Sequence, residues 1–297
     1  MVEIEPPYKA INTPISATIN YKGADFKAQT WKVPEGTPLK GKIVYVHGFA
    51  ESSGLYVKLF DQLSTYGYQV FFFSQRGAPE TSPGKQLGVT NETLIFDDLD
   101  YFIKYNLDQS PKSDKLFLLG HSMGGGIILN YAIKGTYRNQ INGIVCSGPL
   151  VLLHPTTQPN IIVRTFAGYI NYLVPHLKVD SKLNHDLLTS DEDWKQYIIK
   201  HDKKLIGTVR QFHHMFQRGE KLLDKSYTKN FNTPVLVFHG EIDEINDPVG
   251  TKKFFETLDY KDSEFVPVKG ARHSLFIESE PIYKDIYGKL TQFLDSH

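Results

Sequence analysis

The chain has one cysteine, Cys146, among 297 residues. That excludes an intrachain disulfide and suits a reducing compartment. Cys146 lies in the apolar run Ile144-Val145-Cys146, the setting of a buried small residue rather than a reactive thiol. Charge of one sign is also missing, because 33 Lys and Arg balance 33 Asp and Glu. No net field recruits nucleic acid or a strongly acidic partner. No run of about 18 apolar residues occurs, so no membrane-spanning helix is expected. Residues 1–7 carry neither a basic n-region nor an apolar h-region, and residues 294–297 match no lipidation or retention signal. A cytoplasmic location without a signal peptide is therefore expected. Internal repeats and low-complexity segments are absent. His213 and His214 stand together without further ligands at metal spacing, so neither a metal nor a cofactor is expected.

What is present is an alternation of short apolar runs and helical patterns. Residues 15–21 and 26–33 predict a hairpin turning at Lys22-Gly23-Ala24-Asp25. Buried strands are expected at 42–46, 70–73, 116–119, 141–147, 234–238 and 264–268. Helices are expected at 56–66, after Thr90-Asn91, after Ser122 and at 282–293. This order predicts an α/β fold with a mostly parallel central sheet flanked by helices.

The alternation breaks between 149 and 231, where no strand is evident. That stretch reads as a helical cap inserted into a core made of 1–148 and 232–297. Its helices are expected at 161–174, after a capping box at Ser190-Asp191-Glu192-Asp193, and at 206–217 with Gly219 as a stop. Residues 161–174 are almost wholly apolar, with Arg164 the only charge. They fit either a cap helix buried on all sides or a segment that docks on a lipid surface.

Chemistry enters at Leu116-Phe117-Leu118-Leu119-Gly120-His121-Ser122-Met123-Gly124-Gly125-Gly126. Gly-His-Ser-Met-Gly fits the G-x-S-x-G nucleophile elbow, and it stands between a strand and a helix as that motif requires. The glycines leave room for a tight turn that lifts the Ser122 hydroxyl clear of the sheet. A serine nucleophile needs a base, and the base needs an orienting carboxylate. In the α/β-hydrolase order both follow the serine, each after the C-terminal end of a strand. His273, in Lys269-Gly270-Ala271-Arg272-His273-Ser274, occupies the place of the base. Asp243, three residues past Gly240, is the expected acid. Asp247, Glu241 and Glu244 are its rivals, and Asp247 could instead cap the next helix. The oxyanion hole is expected from the N–H of Met123 and, in the loop His47-Gly48-Phe49-Ala50-Glu51, that of Phe49.

Taken together, His47-Gly48-Phe49, Gln75-Arg76-Gly77, Ser82-Pro83-Gly84, the elbow, Ser147-Gly148-Pro149, Gly240 with Asp243, Ile245, Asp247 and Pro248, and Gly270-Ala271-Arg272-His273-Ser274 resemble the monoacylglycerol lipase family, in particular its fungal members. The resemblance runs from Gly41 to the C-terminus. It implies a serine esterase of the α/β-hydrolase fold that cleaves monoacylglycerol to glycerol and a fatty acid. It also implies a cap that contacts lipid and peripheral association with lipid droplets or membranes. Glu51 matches the family and is the polar candidate for the glycerol head. Three positions depart from it: Ser74 replaces a common Asp, Leu55 a mammalian arginine, and Phe276 a second histidine. A lysophospholipase or broad carboxylesterase of the same fold, and a lipid-binding member without catalysis, are the alternatives.

Overall fold

A computed structural model describes residues 5–109, 114–201 and 205–297. Residues 1–4, on which part of the N-terminal reading falls, lie outside the described residues. The strands are β1 (Ile15–Tyr21), β2 (Ala24–Trp31), β3 (Gly41–Val46), β4 (Tyr68–Phe73), β5 (Leu116–His121), β6 (Gly143–Ser147), β7 (Lys178–Asp180), β8 (Ile206–Thr208), β9 (Val235–Gly240) and β10 (Ser263–Val268). The α-helices are α1 (Val57–Tyr66), α2 (Glu92–Asp108), α3 (Met123–Lys134), α4 (Ile161–Thr165), α5 (Ala167–Leu173), α6 (Glu192–His201), α7 (Val209–Lys221), α8 (Lys225–Thr228), α9 (Pro248–Thr257) and α10 (Glu280–Ser296).

Eight strands form one sheet in the order β1-β2-β4-β3-β5-β6-β9-β10. β1, β2 and β4 pair antiparallel, and every pair from β4 to β10 is parallel. The sheet is therefore mostly parallel, as the alternation predicts. Side chains alternate between its two faces, the two-residue period of a strand. Val44, Leu118, Val235 and Val237 pack on one side with Leu99 and Phe102 of α2, Ile127 of α3 and Phe254 of α9. Tyr45, Phe117, Leu119, Leu236 and Phe238 pack on the other with Leu59, Phe60 and Leu63 of α1 and Ile286, Leu290 and Leu294 of α10. Each fully buried side chain of this size contributes about 1.5–3 kcal/mol, so the central strands are the rigid platform of the molecule.

Several local expectations need correction. The hairpin turn is shorter than expected: Asn20 pairs with Asp25 and Tyr21 with Ala24, which leaves only Lys22 and Gly23, both at positive φ. Two loop residues of that hand match the twist of the flanking strands. The region after Gly148 is not free of strands, because β7 and β8 pair antiparallel, Lys178 opposite Thr208 and Asp180 opposite Ile206. Strands of three residues are too short to show a period. The helix expected at 206–217 consequently starts at Val209, with Thr208 accepting from the Gln211 N–H as its cap. Gly219 lies inside α7 rather than at its end. A Cβ there would come within 2.4 Å of the Val151 carbonyl oxygen, so the glycine serves close packing. Asp191, not Ser190, caps α6 through the Trp194 N–H, while Ser190 Oγ bonds Glu278.

The apolar stretch 161–174 is broken at Phe166 into α4 and α5. None of the residues of these two helices is buried, which rules out the packed-on-all-sides reading. Among the described residues no helix is long and apolar enough to cross a membrane.

Candidate active site

Ser122 sits between the last residue of β5 and the first of α3, at φ 52° and ψ −118°. A non-glycine residue there carries strain of about 1–3 kcal/mol. It is held because both sides are fixed. The Ser122 N–H donates to the Ser147 carbonyl (3.0 Å), and its own carbonyl accepts from Gly126 and Leu150 (3.0 Å each). The elbow glycine Gly124 is dictated by space: a Cβ would lie 1.9 Å from the Val46 carbonyl oxygen. The elbow motif thus reflects a backbone crossing, in which the start of α3 presses against the end of β3.

The acid and the base also leave strand ends. Asp243 follows β9 and His273 follows β10, and both are buried. His273 Nδ1 lies 2.8 Å from Asp243 Oδ2. The other oxygen, Oδ1, accepts the N–H groups of Ile245 (2.8 Å) and Asn246 (3.0 Å). Burial alone would push the Asp243 carboxyl up. The positive potential of His273 and the hydrogen bonds from His239 and His273 outweigh it and hold the group well below the usual carboxylate range. The carboxylate form makes Nδ1 the protonated nitrogen of His273 and leaves Nε2 with its lone pair.

The rivals stand elsewhere. Asp247 accepts from the Val249 N–H (2.9 Å) and caps α9. Glu241 and Glu244 are exposed.

The loop after β3 is clamped from two directions. His47 is fully buried, its Nε2 accepts from the Gln75 N–H (2.8 Å), and its Nδ1 therefore donates to the Gly48 carbonyl (2.6 Å). Burial lowers its pKa, in keeping with a neutral ring. On the other side Glu51 Oε2 accepts from the Gly48 N–H and the Tyr56 hydroxyl. Between these clamps the Phe49 N–H has no acceptor among the described residues. The N–H of Met123, at the first position of α3, precedes the intrahelical hydrogen bonds. Both predicted oxyanion donors are therefore available.

Glu51 was expected to read a glycerol head, and its surroundings give it a different task. One oxygen braces the loop, and the other lies 3.5 Å from His121 Nε2. The cavity it lines with Leu55, Tyr56, His121 and Phe276 has a volume of only about 10 Å³, room for one water and not for glycerol. His121 is buried, with Nδ1 on the Ser147 carbonyl at 2.9 Å. Burial outweighs the pull of Glu51 and lowers its pKa to about 4.

Two contacts escaped sequence reasoning. Asn246 Nδ2 donates to the Gly148 carbonyl (2.8 Å) and reaches Ser122 Oγ (3.4 Å). His239 Nε2 lies 3.2 Å from Asp243 Oδ2. The repeated His-Gly at strand ends, His47-Gly48 and His239-Gly240, is the one sequence signal that points to the second histidine.

A nucleophile elbow at the C-terminal edge of a mostly parallel sheet, with a buried His–Asp pair on the loops beyond it, defines a serine hydrolase of the α/β-hydrolase fold. The model of the Hydrolase_4 family (serine aminopeptidase, S33) matches residues 37–280. A monoglyceride lipase of Saccharomyces cerevisiae is 39% identical, over 98% of this chain and 96% of its own length. A putative monoglyceride lipase of Schizosaccharomyces pombe is 32% identical, over 92% of this chain and 72% of its own. The crystal structure of a soluble variant of the Saccharomyces cerevisiae enzyme in complex with a substrate analog superposes with a TM-score of 0.93 at 38% identity, covering 99% of both chains. The chain belongs to the monoglyceride lipase family.

Proposed function

We propose that the protein hydrolyses monoacylglycerol to glycerol and a free fatty acid through an acyl-enzyme at Ser122. The observation that carries this reading is the alignment of His273 by Asp243 (2.8 Å), together with a serine held at positive φ between β5 and α3. In the proposed cycle His273 Nε2 takes the Ser122 proton as Oγ attacks the ester carbonyl. The N–H groups of Phe49 and Met123 receive the developing oxyanion, each such donor being worth about 10²–10³ in turnover. His273 then protonates the leaving glycerol oxygen. The same histidine activates the water that releases the fatty acid and restores Ser122. A binder without catalysis has no use for this arrangement. The test is product analysis on monooleoylglycerol, which should yield glycerol and oleate. Each buried methylene contributes about 0.8 kcal/mol, so the KM should be far lower than for a two-carbon ester.

The second part of the proposal concerns residues 149–231, read as a cap through which the enzyme docks peripherally on lipid droplets or membranes from the cytoplasm. Its support is a contiguous exposed apolar stretch: Ile161 is 67% exposed, Ile162 65%, Phe166 54% and Tyr172 81%. Apolar side chains concentrated in this way mark an interaction surface. Helices of five and seven residues are far too short to span a bilayer but can lie in its interface. The buried Cys146, whose thiol burial pushes up, is compatible with a reducing compartment. Replacing Ile162 and Phe166 together by Ser should lower liposome binding and leave hydrolysis of a soluble short-chain ester intact. Parallel loss of both, measured by co-sedimentation and by ester assay, would contradict the docking role.

A further inference from the structure

We propose that His239 and Thr251 form a positioning pair behind Asp243, in which the Thr251 hydroxyl satisfies His239 Nδ1 while the His239 Nε2–H, bonded to the Asn246 carbonyl, lies against the carboxylate that orients His273. The inference rests on the Ser122, His273 and Asp243 roles given above and adds to them a device outside the three residues.

The tautomer follows from the partners. His239 Nε2 faces two groups that can only accept, Asp243 Oδ2 at 3.2 Å and the Asn246 carbonyl at 3.1 Å. A lone pair at Nε2 would face both of them, so the proton sits there. The opposite nitrogen, Nδ1, lies 2.8 Å from Thr251 Oγ1. With Nε2 protonated in a neutral ring, Nδ1 accepts, and the threonine hydroxyl must donate. Both side chains are fully buried, so water does not replace this bond. A valine at 251 would keep the shape and lose the donor.

The consequence falls on Oδ2. Asp243 Oδ1 is filled by the Ile245 and Asn246 N–H groups, so Oδ2 alone joins His273 and His239. The His239 Nε2–H beside it offsets part of the charge on that oxygen. Without it His273 faces a more basic oxygen. The other titratable groups facing the cluster are His121, whose ring is 4.7 Å from that of His273, and Glu51 behind it. Neither touches His239. Asn246 ties the pair back to the serine, because its carbonyl accepts a hydrogen bond from the His239 Nε2–H while its amide reaches Ser122 Oγ.

The test is Thr251→Val against Thr251→Ser with a soluble ester. Thr251→Val should lower kcat about tenfold, the scale of one hydrogen bond to a charged group, with KM unchanged. The acid limb of its kcat/KM profile should move to higher pH, since His273 is then held more firmly in its protonated form. Thr251→Ser, which keeps the hydroxyl, should restore both. A ¹⁵N spectrum of histidine-labelled wild type should show His239 in the Nε2–H form, a readout that needs no variant to fold. An Nδ1–H form there, or a Thr251→Val enzyme with wild-type kcat and pH profile, would overturn the pair. Fluorophosphonate labelling separates the two levels. Wild type that labels at Ser122 keeps the parent reading whatever Thr251 does, and wild type that does not label ends both.

Discussion

Ser122→Ala should lower ester turnover on the order of a million-fold, the loss seen when the nucleophile of a serine protease is removed. The fold should survive the change. Among the described residues Ser122 Oγ is held by a single long contact from Asn246 Nδ2 (3.4 Å), whereas the turn itself is fixed by backbone bonds to Ser147, Gly126 and Leu150. Alanine at φ 52° suffers no more strain than serine. The expected result is therefore an unchanged melting temperature, no fluorophosphonate labelling and turnover near the residual level that an oxyanion hole alone supports. A variant that retains more than about a hundredth of wild-type turnover would remove Ser122 from the mechanism.

Asp243→Asn should cost about ten-thousand-fold in kcat, by analogy with the same change in a serine protease. The reason lies in the donors around it. The Ile245 and Asn246 N–H groups require an acceptor, so the amide oxygen takes the place of Oδ1. The amide nitrogen must then occupy the place of Oδ2, facing His273 Nδ1 and His239 Nε2. A donor there forces His273 to present a lone pair at Nδ1 and carry its proton on Nε2, where it can no longer take the serine proton. Asp247→Asn should behave near wild type, because asparagine caps a helix as well as aspartate does. The two variants assayed side by side decide the matter, and an inactive Asp247→Asn with an active Asp243→Asn would reverse the assignment.

The parallel strands, the elbow and the family were legible because each has a local signature. Val44 to Val46 and Val235 to Phe238 are short apolar runs bounded by His-Gly, and Gly124 is forced by a backbone crossing. The acid was legible only as a cluster in which Asp243 came first. Its separation from Asp247 depends on which side chain turns inward from the loop, and that shows only once Ile245 and Asn246 are seen to donate to it. Glu51 illustrates the opposite limit. A carboxylate in a glycine-bearing loop can bind substrate or brace the loop, and the Gly48 N–H and Tyr56 hydroxyl that engage it are separate features of the sequence. The three-residue strands β7 and β8 are stabilised by pairing with each other across 25 intervening residues (181–205), a contact that no local pattern encodes. Thr251 and His239 lie on different elements, and nothing in either segment announces their bond.

The central claim, that this hydrolase acts on monoacylglycerol, is tested most directly by kcat/KM on matched oleoyl esters. Monooleoylglycerol combines one long apolar chain with a small neutral head. Dioleoylglycerol adds a second long chain to that small head. Lysophosphatidylcholine replaces the small neutral head by a bulky charged one, whose desolvation in a closed site is unfavourable. Monooleoylglycerol should exceed both by about tenfold or more, the discrimination a shaped pocket can supply. Equal kcat/KM for either competitor would contradict the monoacylglycerol reading and favour a broad esterase or lysophospholipase.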